Sequence, residues 1–374
     1  MAEGAGNDFG GGEDDVRDHA GEGDTGAGLK IARDRVGARM LRHRMSGSIR
    51  AITYAAHGKP EDVLRLEEQP RPEPAADEAV VRLLAAPINP ADLNQIEGKY
   101  PVRAPLPATP GFEGTGVIEQ IGAEVKDRKT GERVILPHDL GTWREVAVVK
   151  AQKLTAVPDE IEPEQAAMLK INPITAWRLL HDFVALQPGE WVAQNAANSA
   201  VGRAVIAICR DQGWRTLNIV RRKELVDELR AEGGDVVLLD DDQLRTAAAD
   251  ATGGAPIRLG LNQVGGESAL RLAKIVAPEA FIVTIGAMSL KPLTVPNGLL
   301  IFKNLHFTGF WVNKWYDQAT ARERADTFAH IFDLARRGLL RTRIERTYPL
   351  TDFREAVARA SESERSGKVL FSFA

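Results

Sequence analysis

The chain has 374 residues, a hydrophobic fraction of 44% and a formal net charge of −4, enough apolar material for two domains that each bury a core. Both charge signs are well mixed, so there is no basic face of the size that phosphate-backbone binding needs, which argues against nucleic acid as a partner. The single cysteine, Cys209, excludes an internal disulfide and a thiolate metal cage, and no apolar stretch approaches the length of a membrane helix.

Residues 1–47 are Gly-rich and acidic as far as Thr25, then basic from Lys30 to Arg44, without apolar periodicity. Such a segment cannot build a core and is expected to be a disordered extension, with folding beginning near Met45. Glu13, Asp14 and Asp15 argue against a transit peptide, and the lack of an apolar central region argues against a secretory signal. The expectation is a cytoplasmic protein.

From 49 to 149, short alternating or apolar runs at 50–54, 79–84, 116–121, 132–136 and 143–149 are punctuated by closely spaced Gly and Pro. That is the pattern of a β-rich, barrel-like domain. From 164 the rhythm changes: helices at 164–180, 201–212, 223–232 and 268–276 are interleaved with strands at 191–195, 216–220, 236–239, 257–263 and 281–285. This alternation predicts an α/β domain with a doubly wound parallel sheet. A last strand at 304–311 and an amphipathic helix at 319–338 follow; strands at 345–349 and 368–373 then flank a helix at 352–360. The tail is expected to return to the first domain, giving a substrate domain of 48–165 with 317–374 and a cofactor domain of 166–316.

Between the strand at 191–195 and the helix at 201–212 lies a tight turn of small residues, Asn198, Ser199, Ala200 and Val201, leading into Gly202. A pyrophosphate needs main-chain N–H groups and a helix amino terminus behind them, and this turn supplies both. With one glycine surviving, the turn is also compatible with ordinary strand-to-helix packing. Nineteen residues beyond Gly202 stands Arg221-Arg222-Lys223 in place of the acid that would bind a ribose 2′-hydroxyl. The cluster suits a 2′-phosphate, hence NADPH, with a solvated charge run as the plain alternative. Tyr100 stands on a loop after a short helix-like segment, where a phenol could deliver a proton or simply line a cleft.

Asn172-Pro173-x-Thr175-Ala176, Leu186-Gln187-Pro188-Gly189, Gln194-Asn195-Ala196-x-Asn198-Ser199-x-Val201-Gly202, Val264-Gly265-Gly266 and Phe302-Lys303-Asn304-Leu305-x-x-x-Gly309-Phe310-Trp311 follow one another in this order. Over residues 50–374 the sequence thereby resembles the medium-chain dehydrogenase/reductase superfamily, and within it the zinc-independent 2-enoyl thioester reductases of mitochondrial type. The resemblance implies a GroES-like barrel domain beside a Rossmann-type domain, NADPH as cofactor, and a homodimer formed through the edge strand at 304–311. It implies that Asn172 approaches the nicotinamide, that the turn Ile285, Gly286, Ala287 and Met288 closes over it, that Phe310, Trp311, Val312 and Asn313 follow the cleft, and that Lys368 reaches the cofactor from the last strand.

Gly111-Phe112-Glu113 stands where the zinc-dependent relatives have Gly-His-Glu, so neither of their zinc sites is expected. Without a Lewis acid the hydride acceptor should be an already polarised double bond, an alkene conjugated to a CoA or acyl-carrier-protein thioester. The matching Gly-x-Tyr implies that Tyr100 protonates the α-carbon, with Asn89 orienting the loop or the substrate. Phe310, Trp311 and Trp315 are candidates for the acyl wall, Trp315 equally for the core. The chain departs from the family pattern at Ala197, Ala200, Gln263 and Ile285, which bears on cofactor affinity. The rival readings are a zinc-independent NADPH quinone or enone reductase and a non-catalytic NADPH-binding protein.

Overall fold

A computed structural model describes residues 47–362 and 365–373, so the expected extension lies, but for Gly47, outside the described residues. In chain order the elements are β1 (Ser48–Thr53), α1 (Pro60–Val63), β2 (Arg65–Pro70), β3 (Glu78–Pro87), α2 (Pro90–Ile96), β4 (Thr115–Ile121), β5 (Arg133–Ile135), β6 (Val146–Lys150), β7 (Thr155–Ala156), α3 (Pro163–Ala166) and α4 (Asn172–His181). Then come β8 (Trp191–Asn195), α5 (Ala200–Gln212), β9 (Arg215–Val220), α6 (Leu225–Ala231), β10 (Val236–Leu239), α7 (Leu244–Thr252), β11 (Ile257–Asn262), α8 (Gly266–Ile275) and β12 (Phe281–Thr284). The chain ends with α9 (Asn297–Ile301), β13 (His306–Gly309), α10 (Val312–Gln318), α11 (Ala321–Arg336), β14 (Ile344–Tyr348), α12 (Phe353–Ser361) and β15 (Lys368–Ser372).

Two large sheets organise these elements, with β1 and β2 forming a separate two-stranded pair. The first has the order β14-β15-β3-β4-β5-β7, with β6 also paired to β3, and is antiparallel except between β14 and β15. Its ten-residue β3 is the hub, taking β4 and β6 along its length and β15 at its end, where Leu370 faces Pro87. The second sheet, β10-β9-β8-β11-β12-β13, is parallel throughout. Its central strands β8 and β9 are buried on both faces, as a sheet covered by helices on either side requires. A β-rich lobe and a doubly wound α/β lobe are the fold class expected from the rhythm of the sequence, and the GroES-like barrel is what the resemblance implied.

The strand order of the parallel sheet reverses between β8 and β11, which places a crevice at their carboxyl ends. One core cluster runs along this lobe, from Ile174, Leu179 and Leu180 of α4 through Val205 and Ile208 of α5 to Phe328, Ile331 and Phe332 of α11. Each such side chain taken fully out of water contributes about 1.5–3 kcal/mol. The helix expected at 164–180 is in fact two, α3 and α4. Ile171 turns its amide to the Glu113 carboxylate instead of continuing the helix, and Pro173 suits the first turn of a new one.

Candidate active-site cleft

At the switch point, the short turn after β8 is fastened by side-chain amides. Asn195 Nδ2 donates to Asn262 Oδ1 at 2.9 Å, and Gln263 N donates to Asn195 Oδ1 at 2.7 Å, so the ends of β8 and β11 are clamped together. Ser199 caps α5 by accepting from Gly202 N at 2.9 Å and donates its own proton to Gln263 Oε1 at 2.7 Å. A Cβ on Gly202 would lie 2.4 Å from the Ala197 carbonyl oxygen, so only glycine lets the helix approach the turn this closely. The amides of Ala200 and Val201 in the first turn of α5 lack helical acceptors, the arrangement that receives a phosphate.

The other candidate residues of this lobe also follow strand carboxyl ends. Arg221 and Lys223, after β9, are exposed and make no ion pair among the described residues; Arg222 is half-buried and lies 3.5 Å from Glu224. After β12, Ile285 N donates to Asn262 O and Met288 N to Gln263 O, so the Ile285, Gly286, Ala287, Met288 turn rests on the β11 loop. A Cβ on Gly286 would meet Gln263 O at 2.9 Å. After β13, Phe310 N donates to Thr284 O, and Val312 and Asn313 are buried at the start of α10. Val201, Ile285, Phe310 and Trp315 pack against the same core cluster, as does Ile171, next to Asn172. Trp315 is half-buried there beneath the Arg178 guanidinium.

From the barrel lobe, α2 ends in a tight turn in which Asn94 O accepts from the amides of Lys99 and Tyr100. Tyr100 is half-buried, its ring 5.1 Å from that of Phe112, and its hydroxyl accepts a hydrogen bond from Trp311 Nε1 at 2.8 Å. This bond joins the two lobes. Burial raises the phenol above its ordinary value, against the opposing effect of the Trp311 bond.

Below Tyr100 lies a buried group of charges that the sequence reading did not foresee. Asp92 accepts from the amides of Asn89 at 2.7 Å and Phe112 at 2.9 Å; burial pushes its carboxyl up to about 7. Glu113, equally buried, accepts from Asn89 Nδ2 at 2.9 Å and Ile171 N at 3.0 Å, and burial raises it as well. Burial pushes the Lys170 ammonium down to about 7 and lowers that of Lys368, each opposed by the Glu113 charge. Lys368 therefore belongs to this floor, where its ammonium donates to Asn89 Oδ1. Four chain segments meet here, and no local spacing connects them.

A barrel lobe joined to a doubly wound sheet with a small-residue turn into a helix at its switch point is the build of a medium-chain dehydrogenase/reductase. Residues 75–159 match the family model described as "Alcohol dehydrogenase GroES-like domain", and residues 233–370 match "Zinc-binding dehydrogenase". The chain is 36% identical over 335 residues to the mitochondrial enoyl-[acyl-carrier-protein] reductase of Dictyostelium discoideum, covering 87% of this chain and 95% of that one. It is 40% identical over 329 residues to the Xenopus tropicalis protein of the same name, covering 85% and 94%.

Among solved structures, a Bacillus thuringiensis protein named as a candidate NADPH:quinone reductase superposes with a TM-score of 0.82 at 30% identity, covering 87% of this chain and 99% of that one. The Etr1p complex with NADP and crotonyl-CoA superposes with a TM-score of 0.79 at 28% identity, with the same coverage. A mitochondrial 2-enoyl thioester reductase heterodimer from Candida tropicalis does so at 0.80 and 27%, again with that coverage. This chain belongs to the enoyl thioester reductase family of the medium-chain dehydrogenase/reductases.

The relatives' names correct one expectation: both are mitochondrial proteins, which points to a mitochondrial and not a cytoplasmic location. The contrary reading gave the acids at 13–15 more weight than the arginine-rich stretch that follows them. Although one matching model is named for zinc, Phe112 occupies the position before Glu113 and Cys209 is buried within α5. Among the described residues no group of three or more His, Cys, Asp or Glu is placed to hold a metal ion.

Proposed function

We propose that this chain is an NADPH-dependent 2-enoyl thioester reductase in which Tyr100 is the proton donor. NADPH, when bound, supplies the hydride that the β-carbon of the conjugated thioester accepts. In this reading the first-turn amides of Ala200 and Val201, with Asn198 and Ser199, receive the pyrophosphate, and Arg221, Arg222 and Lys223 hold the 2′-phosphate. Asn172, the 285–288 turn and residues 310–313 bound the nicotinamide side, while Lys368 acts from below through Asn89. The substrate side is formed by 48–165 with 317–374, and the cofactor side by 166–316, although α11, within 317–374, packs into the core of the cofactor side.

The observation that carries the proposal is the indole-to-phenol hydrogen bond. An indole N–H can only donate, so Tyr100 must accept there and keeps its own O–H for another partner. Burial keeps the phenol protonated, so it starts the step as an acid. The O–H bond breaks as a bond forms to the α-carbon, and the phenolate left behind keeps the Trp311 donor. Hydride at one carbon and a proton at the other complete the saturation of the double bond.

The relatives' names support an acyl-carrier-protein thioester as the substrate, with the CoA thioester as its accessible surrogate. A homodimer through the β13 edge is part of the same reading, supported by the exposed Leu300, Ile301 and Phe302 in and after the neighbouring α9.

The test is NADPH oxidation with crotonyl-CoA by wild type and Tyr100→Phe. The variant should lose at least about tenfold in turnover, roughly 1.4 kcal/mol of transition-state stabilisation, while still binding NADPH. Undiminished turnover would remove Tyr100 from the chemistry. Faster reduction of naphthoquinone than of crotonyl-CoA would favour the quinone reductase reading that the Bacillus thuringiensis structure brings to mind.

A further inference from the structure

We infer that Glu113 is a positioning residue for the proton transfer, holding the Tyr100 loop in register with the amino terminus of α4. The inference rests on the reading of Tyr100 as proton donor. Glu113 sits just before β4 and is fully buried. One carboxylate oxygen accepts from Asn89 Nδ2 and the other from Ile171 N. Asn89 is the N-cap of α2, the helix whose Asn94 O holds the Tyr100 amide in the turn that follows it, and Ile171 is the N-cap of α4, whose first residue is Asn172. A single side chain thus ties the segment that presents the phenol to the segment assigned to the cofactor.

The polarity of this tie is fixed. An ammonium only donates, so Lys368 forces the oxygen of the Asn89 amide toward itself and leaves the Asn89 N–H₂ to face Glu113. The Ile171 amide is also a donor, so the position requires two acceptor oxygens at once. A carboxylate meets that demand, whereas a glutamine of the same shape offers one acceptor and sets its own N–H₂ against a donor.

Glu113 has little room to shift. Its main-chain oxygen accepts from Thr142 Oγ1 at 2.7 Å, and Gly111, at φ +108°, lies so close to Thr142 Oγ1 that a Cβ there would be 2.3 Å away. The residue between them, Phe112, packs its ring against Tyr100 and donates its amide to Asp92. Any displacement of Glu113 is therefore passed to the phenol through both Asn89 and Phe112.

A residue that merely stabilised the fold would slow catalysis equally with or without the phenol. A positioning residue acts through Tyr100, so its effect should vanish when Tyr100 cannot donate. The test is a double-mutant cycle of Glu113→Gln and Tyr100→Phe, with crotonyl-CoA turnover, NADPH binding by fluorescence and thermal melting measured for all four proteins. Glu113→Gln should lower kcat about tenfold beside Tyr100 and less than about twofold in the Tyr100→Phe background, with NADPH affinity changed by less than about threefold. Equal losses in the two backgrounds, or no loss in either, would overturn the inference while leaving the Tyr100 reading intact. Full activity of Tyr100→Phe alone would overturn both. If Glu113→Gln does not fold, Asn89→Ala keeps the Glu113–Ile171 bond and cuts the link to α2; the same cycle with it decides, additive losses again overturning the inference.

Discussion

At the switch point of the parallel sheet, the polar groups are main-chain amides and exposed cations; beneath Tyr100 they are two acids and two lysines withdrawn from water. The cradle consists of contiguous residues, 198–202, held by neutral amide and hydroxyl bonds that cost little to bury once each is paired. The floor draws on residues 89–92, 113, 170 and 368; its carboxylates are held by main-chain amides and Asn89, and the Glu113 charge is opposed to those of Lys170 and Lys368. The difference teaches that one lobe leaves main-chain amides open over a frame of neutral bonds, and the other buries acids and lysines against one another across distant segments.

Breaking the floor should therefore cost stability, and breaking the cradle should cost binding. The largest effect is expected for Lys368→Met, which leaves Glu113 and the Asn89 oxygen without their cation; about 3 kcal/mol of unfolding free energy should be lost, read by denaturant titration. A variant as stable as wild type would mean that the floor charges are not coupled. Next comes the cradle's cationic end. Arg221→Ala combined with Lys223→Ala should weaken NADPH by roughly 1.5 kcal/mol or more, leave NADH unaffected and leave the melting temperature unchanged, because both side chains are exposed and unpaired among the described residues. An equal loss for both cofactors would refute their assignment to the 2′-phosphate. The smallest effect belongs to Ser199→Ala, which removes the cap of α5 and the bond to Gln263, for about 1 kcal/mol in stability. A larger loss would show that the cradle leans on the long-range Ser199–Gln263 bond more than on its local cap.

The elements built on strong local periodicity were legible. The strand at 236–239 coincides with β10, and the helix at 201–212 is α5 with one residue added at its start. Elements with weak apolar patterns were not. Helix α7 buries just Leu244 and Ala248 among its nine residues, so its alanine-rich propensity was the available signal, and α10, which buries just Val312 and Asn313, was assigned no element. Tyr100 and Trp311 were each singled out in the sequence, yet they are 211 residues apart and nothing in the chain pairs them. Asp92 and Lys170 were given no role in the sequence, and Glu113 was noted only beside the missing zinc-ligand histidine, since residue type does not report burial.

What the sequence determined by itself was the alternation that dictates a doubly wound sheet after a β-rich lobe, the small-residue turn into α5, and the basic cluster one strand later. These depend on neighbours within a few residues, where steric and hydrogen-bonding rules act directly. Tertiary structure alone decided that Trp311 donates to the Tyr100 hydroxyl and that Asn89, Glu113 and Lys368 share one dry floor. Removing charges from water raises their energy until partners arrive, and the partners arrive only when β15, α2 and α4 have closed around the same loop.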